Sequence, residues 1–153
     1  MRELYPDLLN PDFIDFLCCV HDHDVESILV GGYAVVLHGY LRTTGDLDLW
    51  VRPTSENYHR LRRAFAKFGL PTDAISESAF LSCEAQDVFT FGRPPVAIDI
   101  LTQVKGLEFE DAYQQAEVLR VDHAPVRLLH LGHLKAAKKS AGRHKDLDDL
   151  EHL

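Results

Sequence analysis

The sequence has few cysteines and no long apolar run. Its 153 residues include three cysteines, an odd set without the spacing of a metal site, and two of them are adjacent. Adjacent cysteines seldom bridge each other, so we expect Cys18, Cys19 and Cys83 to be reduced, as in a cytoplasmic protein. No apolar run approaches the roughly 20 residues that a membrane span requires, and the acidic N-terminal segment is unlike a signal peptide. We therefore predict a cytoplasmic protein without a membrane span.

The sequence also has fewer basic residues than acidic ones. The chain has 16 lysines and arginines against 24 aspartates and glutamates, which gives a formal net charge of −8. A broad basic face is typical of proteins that bind DNA in bulk, so this composition argues against that class. The sequence also contains neither G-x-G-x-x-G nor G-K-[ST], which excludes the Rossmann dinucleotide fingerprint and the P-loop.

The hydrophobic pattern predicts a single domain over residues 1–153 that mixes helices and strands. With 46% hydrophobic residues, the chain is long enough to bury a core. Helical periodicity predicts an N-terminal helix over about residues 10–21 and a C-terminal helical pair over about 131–153. Short apolar runs predict hairpins over 88–101 and 118–129. The expected fold class is α/β (α+β), with a small mixed β-sheet flanked by helices.

One stretch organises the rest of the chain, and it is an apolar run that ends at two glycines. The run over 28–30 precedes Gly31 and Gly32, and an almost wholly apolar segment follows. This pattern predicts a strand, a tight turn and a buried helix. Glycines at such a turn let backbone N–H groups approach a phosphate at the start of the helix. A turn that needs positive φ is the other interpretation, and the two are compatible.

Three aspartates fall on predicted apolar strands. Asp46 and Asp48 are two residues apart at the start of a strand, so their side chains point the same way. Because parallel carboxylates repel each other unless a cation lies between them, we predict a divalent-metal site. Asp99 is a lone charge inside a later apolar strand, where it needs a metal or a charged partner. The alternatives are a strand-edge pair for the first two and a buried ion pair of Asp99 with Arg42 or Lys138.

The C-terminal helical pair holds one inward lysine and one inward aspartate. At 100° per residue, Lys138 falls on the edge of the inward stripe, whereas Lys135 and Lys139 point toward solvent. In the last helix Asp146 points inward and Asp148 outward. In the helix that contains Lys138, the inward stripe is marked by three apolar residues, Leu134, Ala137 and Ala141.

Both inward residues also have a purely structural interpretation. The stem of Lys138 could pack at the core edge while its ammonium group reaches water. Arg143 and Asp146 could simply cap and pair at the junction of the two helices. The sequence pattern is compatible both with these structural interpretations and with a role in a functional site.

Taken in order, these motifs resemble those of a known superfamily. The chain is similar to DNA-polymerase-β-type nucleotidyltransferases in a set of residues that comprises Gly31-Gly32, Arg42, Thr44, Asp46-x-Asp48 and Asp99. Its tail from Lys138 to Leu150, which includes Arg143 and Lys145-Asp146, is similar to small bacterial proteins grouped with the AbiEii-type nucleotidyltransferase toxins. The resemblance covers about residue 25 to residue 153 and implies the nucleotidyltransferase fold.

The resemblance also implies roles for individual residues. It implies that Asp46, Asp48 and Asp99 are catalytic residues that hold Mg²⁺ or Mn²⁺. Asp99 would in addition help to deprotonate an attacking hydroxyl group. The implied nucleotide-binding residues are Gly31, Gly32, Arg42, Thr44, Lys138 and Asp146.

The implied reaction is transfer of a nucleoside monophosphate from a nucleoside triphosphate, such as ATP, to an acceptor hydroxyl with release of pyrophosphate. The sequence does not say whether the acceptor is tRNA, a protein or a small molecule. Membership in a toxin–antitoxin pair would add a cognate antitoxin or toxin as partner. A non-catalytic nucleotide-binding or interaction module of the same fold, or a metal-dependent phosphohydrolase, would fit the same residues.

Overall fold

The computed structural model describes residues 2–3, 8–82, 87–93 and 96–153. Within these ranges the chain forms seven helices, α1 Pro11–Asp22, α2 Gly31–Leu37, α3 Ser55–Phe68, α4 Glu77–Leu81, α5 Phe109–Gln115, α6 Leu131–Ala141 and α7 His144–His152. The same ranges contain seven strands, β1 Arg2–Glu3, β2 Ser27–Val30, β3 Leu47–Val51, β4 Val88–Arg93, β5 Val96–Leu101, β6 Glu117–Val121 and β7 Ala124–Leu128. No helix in the described part is long and apolar enough to cross a membrane.

The strands of the described residues join into a mixed sheet in the order β1-β6-β7-β2-β3-β5-β4. The pairs β1–β6, β7–β2 and β3–β5 are parallel, and the other three neighbouring pairs are antiparallel. The pairs β4–β5 and β6–β7 are the two predicted hairpins. This mixed sheet with helices packed against it confirms the predicted fold class.

The core is built around the paired strands β2 and β3 in the middle of the sheet. Leu29 of β2 lies opposite Leu49 of β3, and both side chains are fully buried. Burial on both faces accounts for the nearly continuous apolar runs of these strands. Helices α1 and α3 pack on each other through aromatic contacts, in which the ring of Phe16 lies 6.0 Å from that of Phe65 and 5.2 Å from that of Phe68.

The first and third helices begin and end where their capping residues predict. The side chain of Asn10 accepts a hydrogen bond from the Asp12 amide at 2.8 Å, and Pro11 occupies the first turn of α1. The side chain of Thr54 accepts from the amide of Asn57 at the start of α3. Gly69, with φ of +103°, ends that helix in the left-handed conformation.

The C-terminal helices show the largest departure from a simple apolar stripe. Leu134 is buried as predicted, but Ala141 is exposed because α6 ends there, one residue before Gly142. In α7 the two buried residues are Asp146 and Asp149, and no leucine of this helix is fully buried. The fully buried contacts of helix α7 are therefore made by carboxylates, which ion pairs hold in place.

Some elements were not predicted or lie outside the described residues. The short strand β1 at the sheet edge was not predicted, because two residues carry no periodic pattern. Helix α4 lies in a segment for which the sequence predicted only a loop with a short helical turn. Cys18 and Cys19 are free thiols, as expected, whereas Cys83 and the turn residues 94–95 lie outside the described residues.

Candidate active site

The predicted aspartates come together where β3 and β5 run side by side. The two strands are parallel, and their register places Asp48 directly beside Asp99. The two carboxyl groups are hydrogen bonded to each other, and Asp46 immediately precedes β3. All three aspartates line one cavity of about 850 Å³. The neighbouring strands therefore bring together residues that are far apart in the sequence.

Asp48 is the carboxyl group that this environment affects most. Burial, the hydrogen bond with Asp99 and the negative charges of Asp99 and Asp46 raise its pKa to about 7, while Lys145 acts in the opposite direction. Thr90 on the neighbouring strand β4 donates a hydrogen bond to the Asp99 carboxylate at 2.7 Å. Within the described residues, no lysine or arginine is ion-paired with Asp46, Asp48 or Asp99. This corner of the cavity thus concentrates negative charge.

The three carboxylates are not arranged as a closed set of metal ligands. Among the described residues, one group of three or more potential ligands has donor atoms that all lie within 4.8 Å of one another, and it is Cys18, Asp122 and His123. The aspartates of the cavity are more widely spaced than this. Asp46 lies at the end of a loop, one residue before the hydrogen-bonded strand begins. The donor set itself, made only of carboxylate oxygens, suits Mg²⁺.

The two glycines fit tightly against side chains of the site. Gly31 has φ of +70°, and a Cβ atom at this position would overlap the carboxylate of Asp48. A Cβ atom at Gly32 would overlap the hydroxyl of Thr44. The positive-φ interpretation therefore holds for Gly31, and both positions need glycine for close approach. Gly31, Gly32 and Thr44 line the cavity, and their role in nucleotide binding stays a prediction.

Arg42 occupies a different environment from the one predicted. Its guanidinium group makes a two-pronged ion pair with Asp149 of α7, with Nε–Oδ1 and Nη2–Oδ2 distances of 2.7 and 2.9 Å. The side chain of Asp149 is completely buried, and Arg42 is not among the residues that line the cavity. Arg42 therefore fastens α7 to the loop before β3, and its contact with a nucleotide stays a prediction.

Lys138 and Asp146 both line the cavity, but they also bind each other. The ammonium group of Lys138 lies 3.1 Å from a carboxylate oxygen of Asp146 and 3.1 Å from one of Asp149. Its side chain is 8% exposed, and those of the two aspartates are 0% exposed. Lys135 and Lys139 are exposed, which confirms the predicted orientation of the three lysines. The interpretation in which Lys138 extends its ammonium group to water is wrong, because two buried carboxylates hold it.

Asp146 also has the capping role that the sequence left open. It accepts hydrogen bonds from the backbone amide and from Nε of Arg143, at 3.2 and 2.6 Å. Burial on its own would raise the pKa of Asp146, but the hydrogen bonds from Arg143 and Lys138 outweigh this effect and lower the pKa to about 2. Asp146 is therefore a permanently charged anchor of α7.

Sequence reasoning missed Asp149 and the cations at the cavity wall. Asp149 lies three residues after Asp146, and this spacing on a helix could have placed both carboxylates on one face. Lys105 and Lys145 also line the cavity. No periodic pattern marks Lys105, because it lies in the connection between β5 and α5.

Comparisons with known proteins support the fold. No protein-family model matches the sequence, and no curated protein matches it. The structure is similar to the crystal structure of a candidate nucleotidyltransferase from Thermotoga maritima, with a TM-score of 0.56 and 14% sequence identity. The superposition covers 94% of this chain and 93% of the other chain. The chain thus has a fold like that of the Thermotoga protein, and the narrower resemblance to AbiEii-type toxins stays a prediction.

Proposed function

We propose that this chain transfers a nucleoside monophosphate from a nucleoside triphosphate to an acceptor hydroxyl group and releases pyrophosphate. The observation that carries the proposal is that Asp46, Asp48 and Asp99 line one cavity together with the glycine turn, which lies against the carboxylate of Asp48. The likeness to the Thermotoga candidate nucleotidyltransferase supports the same kind of chemistry.

The electrostatics of the cavity favour a divalent cation. A buried carboxyl group with a pKa of about 7, hydrogen bonded to a second carboxyl and close to a third, is a site where a cation would relieve strong repulsion. Asp46, Asp48 and Asp99 would hold Mg²⁺ or Mn²⁺, since carboxylate oxygens are the ligands that these ions prefer. When bound, the ion would polarise the α-phosphate and offset charge on the leaving group.

The other walls of the cavity suit the remaining parts of a nucleotide. Lys105, Arg143 and Lys145 line it and supply positive charge for phosphate groups. Leu101 and Val104 form an apolar part of the wall, against which a base could pack. The volume of about 850 Å³ lies within the range of small-molecule sites. Lys138 takes a smaller part in this account than the sequence predicted, because Asp146 and Asp149 already neutralise it.

The reaction balances without a redox partner. A bond forms between the acceptor oxygen and the α-phosphorus, the bond from that phosphorus to the bridging oxygen breaks, and pyrophosphate leaves with the electron pair. The hydroxyl proton passes to a carboxylate, for which Asp99 is the nearest match to the role implied by the resemblance. The acceptor and a place in a toxin–antitoxin pair stay predictions.

Label transfer tests the proposal. The full chain is incubated with each α-labelled nucleoside triphosphate, Mg²⁺ and fractionated cell extract, and both labelled acceptor and pyrophosphate are measured. We expect label in one acceptor fraction, dependent on Mg²⁺ and lost in Asp48→Asn. The matched control is Asp73→Asn, an exposed aspartate that does not line the cavity.

Three outcomes would overturn the proposal. Nucleotide binding without any pyrophosphate would indicate a non-catalytic module of the same fold. Release of free phosphate without a labelled acceptor would indicate a phosphohydrolase. Equal label transfer by Asp48→Asn and Asp73→Asn would place the chemistry elsewhere.

A further inference from the structure

A second cluster of potential metal ligands lies where the end of α1 meets the turn between β6 and β7. One ligand atom each from Cys18, Asp122 and His123 lies within 4.8 Å of the other two, which is true of no other such trio in the described ranges. Cys18 is 7% exposed, whereas Asp122 and His123 are exposed at the turn. None of the three lines the cavity of the candidate active site.

Helix α1 presents further donors on the same face. His21 and Asp22 follow Cys18 by three and four residues, which places all three on one side of the helix. A carboxylate oxygen of Asp22 lies 2.9 Å from Nε2 of His123, and the rings of His21 and His123 are 6.3 Å apart. A carboxylate on one ring nitrogen is the arrangement that orients metal-binding histidines, because it directs the other nitrogen toward the ion.

The surroundings of the thiol are acidic. Cys18 donates a weak hydrogen bond to the carbonyl of Val121 at 3.7 Å. Burial and the nearby charges of Asp122, Asp22 and Asp15 raise the pKa of this thiol. A cation placed among these groups would therefore be attracted by several negative charges at once.

The donor set indicates which class of ion fits. A thiolate, an imidazole and a carboxylate are ligands of borderline-soft ions such as Zn²⁺, whereas Mg²⁺ takes oxygen ligands. Zinc bonds of about 2.0–2.3 Å place tetrahedral ligands roughly 3.5 Å apart, so donors that lie within 4.8 Å of one another need only a small approach to bind one ion. Two of the three ligands lie on an exposed turn, which can make this adjustment and lets an ion enter.

We propose that Cys18, Asp122 and His123 form a binding site for one zinc-class ion, with water as the fourth ligand and Asp22 as the positioning residue for His123. The ion ties the end of α1 to the β6–β7 turn and so stabilises this hairpin against the helix. This site could not be predicted from the sequence, because its ligands are about 100 residues apart in the chain. The cysteines alone do not have the spacing of a metal site.

Cobalt titration of the reduced, tag-free full chain tests the site. Co²⁺ reports a cysteine ligand through a thiolate charge-transfer band, and tetrahedral coordination through its visible d–d bands. We expect the thiolate band to reach saturation at one ion per chain, with displacement by Zn²⁺ and no displacement by Mg²⁺. His123→Ala, an exposed substitution that spares the core, should lose the bands, and so should Cys18→Ser. Cys19→Ser, the adjacent thiol on a different side of the helix, should keep them.

The role of Asp22 has its own readout. Asp22→Asn should weaken Co²⁺ binding about 10- to 100-fold while the spectrum of the saturated complex stays the same. The site is disproved if the wild-type chain gives no thiolate band, if the band survives His123→Ala, or if Cys19→Ser removes it. Because Mg²⁺ does not compete, these results are independent of the candidate active site.

Discussion

The pKa of Asp48 and the pKa values of the two α7 aspartates are shifted in opposite directions. Asp48 and Asp99 are neighbours on the cavity wall, and the pKa of Asp48 is raised to about 7. Asp146 and Asp149 are the buried face of α7, and the pKa of each is lowered, to about 2 for Asp146. Burial raises the pKa in both places, so the difference must come from the groups that surround each pair.

Cations account for the difference. Lys138 reaches both carboxylates of α7, Arg42 makes a two-pronged pair with Asp149, and Arg143 binds Asp146. In the described part of the chain the cavity aspartates have no ion-paired lysine or arginine. The α7 pair is therefore electrostatically complete and structural, whereas the cavity pair lacks the positive charge that a bound metal would supply.

The largest effect is expected from removing the shared cation of the α7 pair. Lys138→Ala removes an ammonium group that two fully buried carboxylates share, so we expect the free energy of unfolding to fall by about 3–5 kcal/mol. Denaturant unfolding measures this loss. Lys135→Ala and Lys139→Ala, on exposed positions of the same helix, should change stability by less than about 0.5 kcal/mol. Equal effects of the three substitutions would show that Lys138 is an ordinary surface lysine.

Asp48→Asn should stabilise the metal-free protein at neutral pH. The unfolded carboxyl ionises near 3.8 and the folded one near 7, so the folded state keeps a proton that the unfolded state loses between these values. The free energy of unfolding that is lost through Asp48 is therefore close to zero below about pH 4. The loss increases between about pH 4 and pH 7 and is complete above pH 7. We expect a gain on the order of 3 kcal/mol at pH 8 and none at pH 4, measured by unfolding across pH.

Asp146→Asn should change stability in the opposite direction in the same unfolding measurements across pH. Its pKa is about 2 in the folded state and 3.8 when unfolded, so its contribution is complete above pH 4 and is lost as the pH falls through 2. This substitution should lower stability at pH 8. If both variants changed stability in the same direction at pH 8, the contrast between the two pairs would be wrong.

Gly31→Ala tests the close contact between the turn and Asp48. Gly31 and Gly142 have similar positive φ values of +70° and +66°, but only at Gly31 would a Cβ atom overlap a neighbour, the Asp48 carboxylate. We expect Gly31→Ala to destabilise the protein by about 1–2 kcal/mol more than Gly142→Ala, because the backbone strain is similar at both positions. Matched thermal unfolding of the two variants gives the difference. Equal losses would mean that Asp48 moves away freely.

The smallest effect is expected at Arg143. Its side chain is 70% exposed although it binds Asp146, and exposed ion pairs contribute little. Arg143→Ala should therefore reduce the free energy of unfolding by at most about 1 kcal/mol, far less than Lys138→Ala. A loss as large as that of Lys138→Ala would show that Arg143 shares equally in holding α7.

The sequence predicted the sheet and the cavity aspartates because both depend on local rules. Apolar runs and glycines predict strands and turns, and strand parity predicts the direction of Asp46 and Asp48. That Asp99 belongs with the first two aspartates was implied by the resemblance, whereas the parallel pairing of β3 with β5, which places Asp99 beside Asp48, was not predicted.

The ion pairs could not be predicted, because they join distant segments. Arg42 carries the same charge whether it faces a nucleotide or Asp149, and only the docking of α7 decides between them. The same applies to Cys18 and His123, which belong to elements far apart in the chain. Patterns within one element predict the direction of a side chain but do not identify its partner.

Carboxyl NMR titration of the aspartates, with and without Mg²⁺, tests the contrast between the two pairs most directly. We expect Asp48 to titrate near 7 in the absence of metal and saturating Mg²⁺ to move its pKa below the ordinary value of 3.8. Asp146 should titrate near 2 in both conditions, because its cations are part of the chain. An Asp48 pKa near 4 without metal, or one near 7 that Mg²⁺ leaves unchanged, would contradict the account.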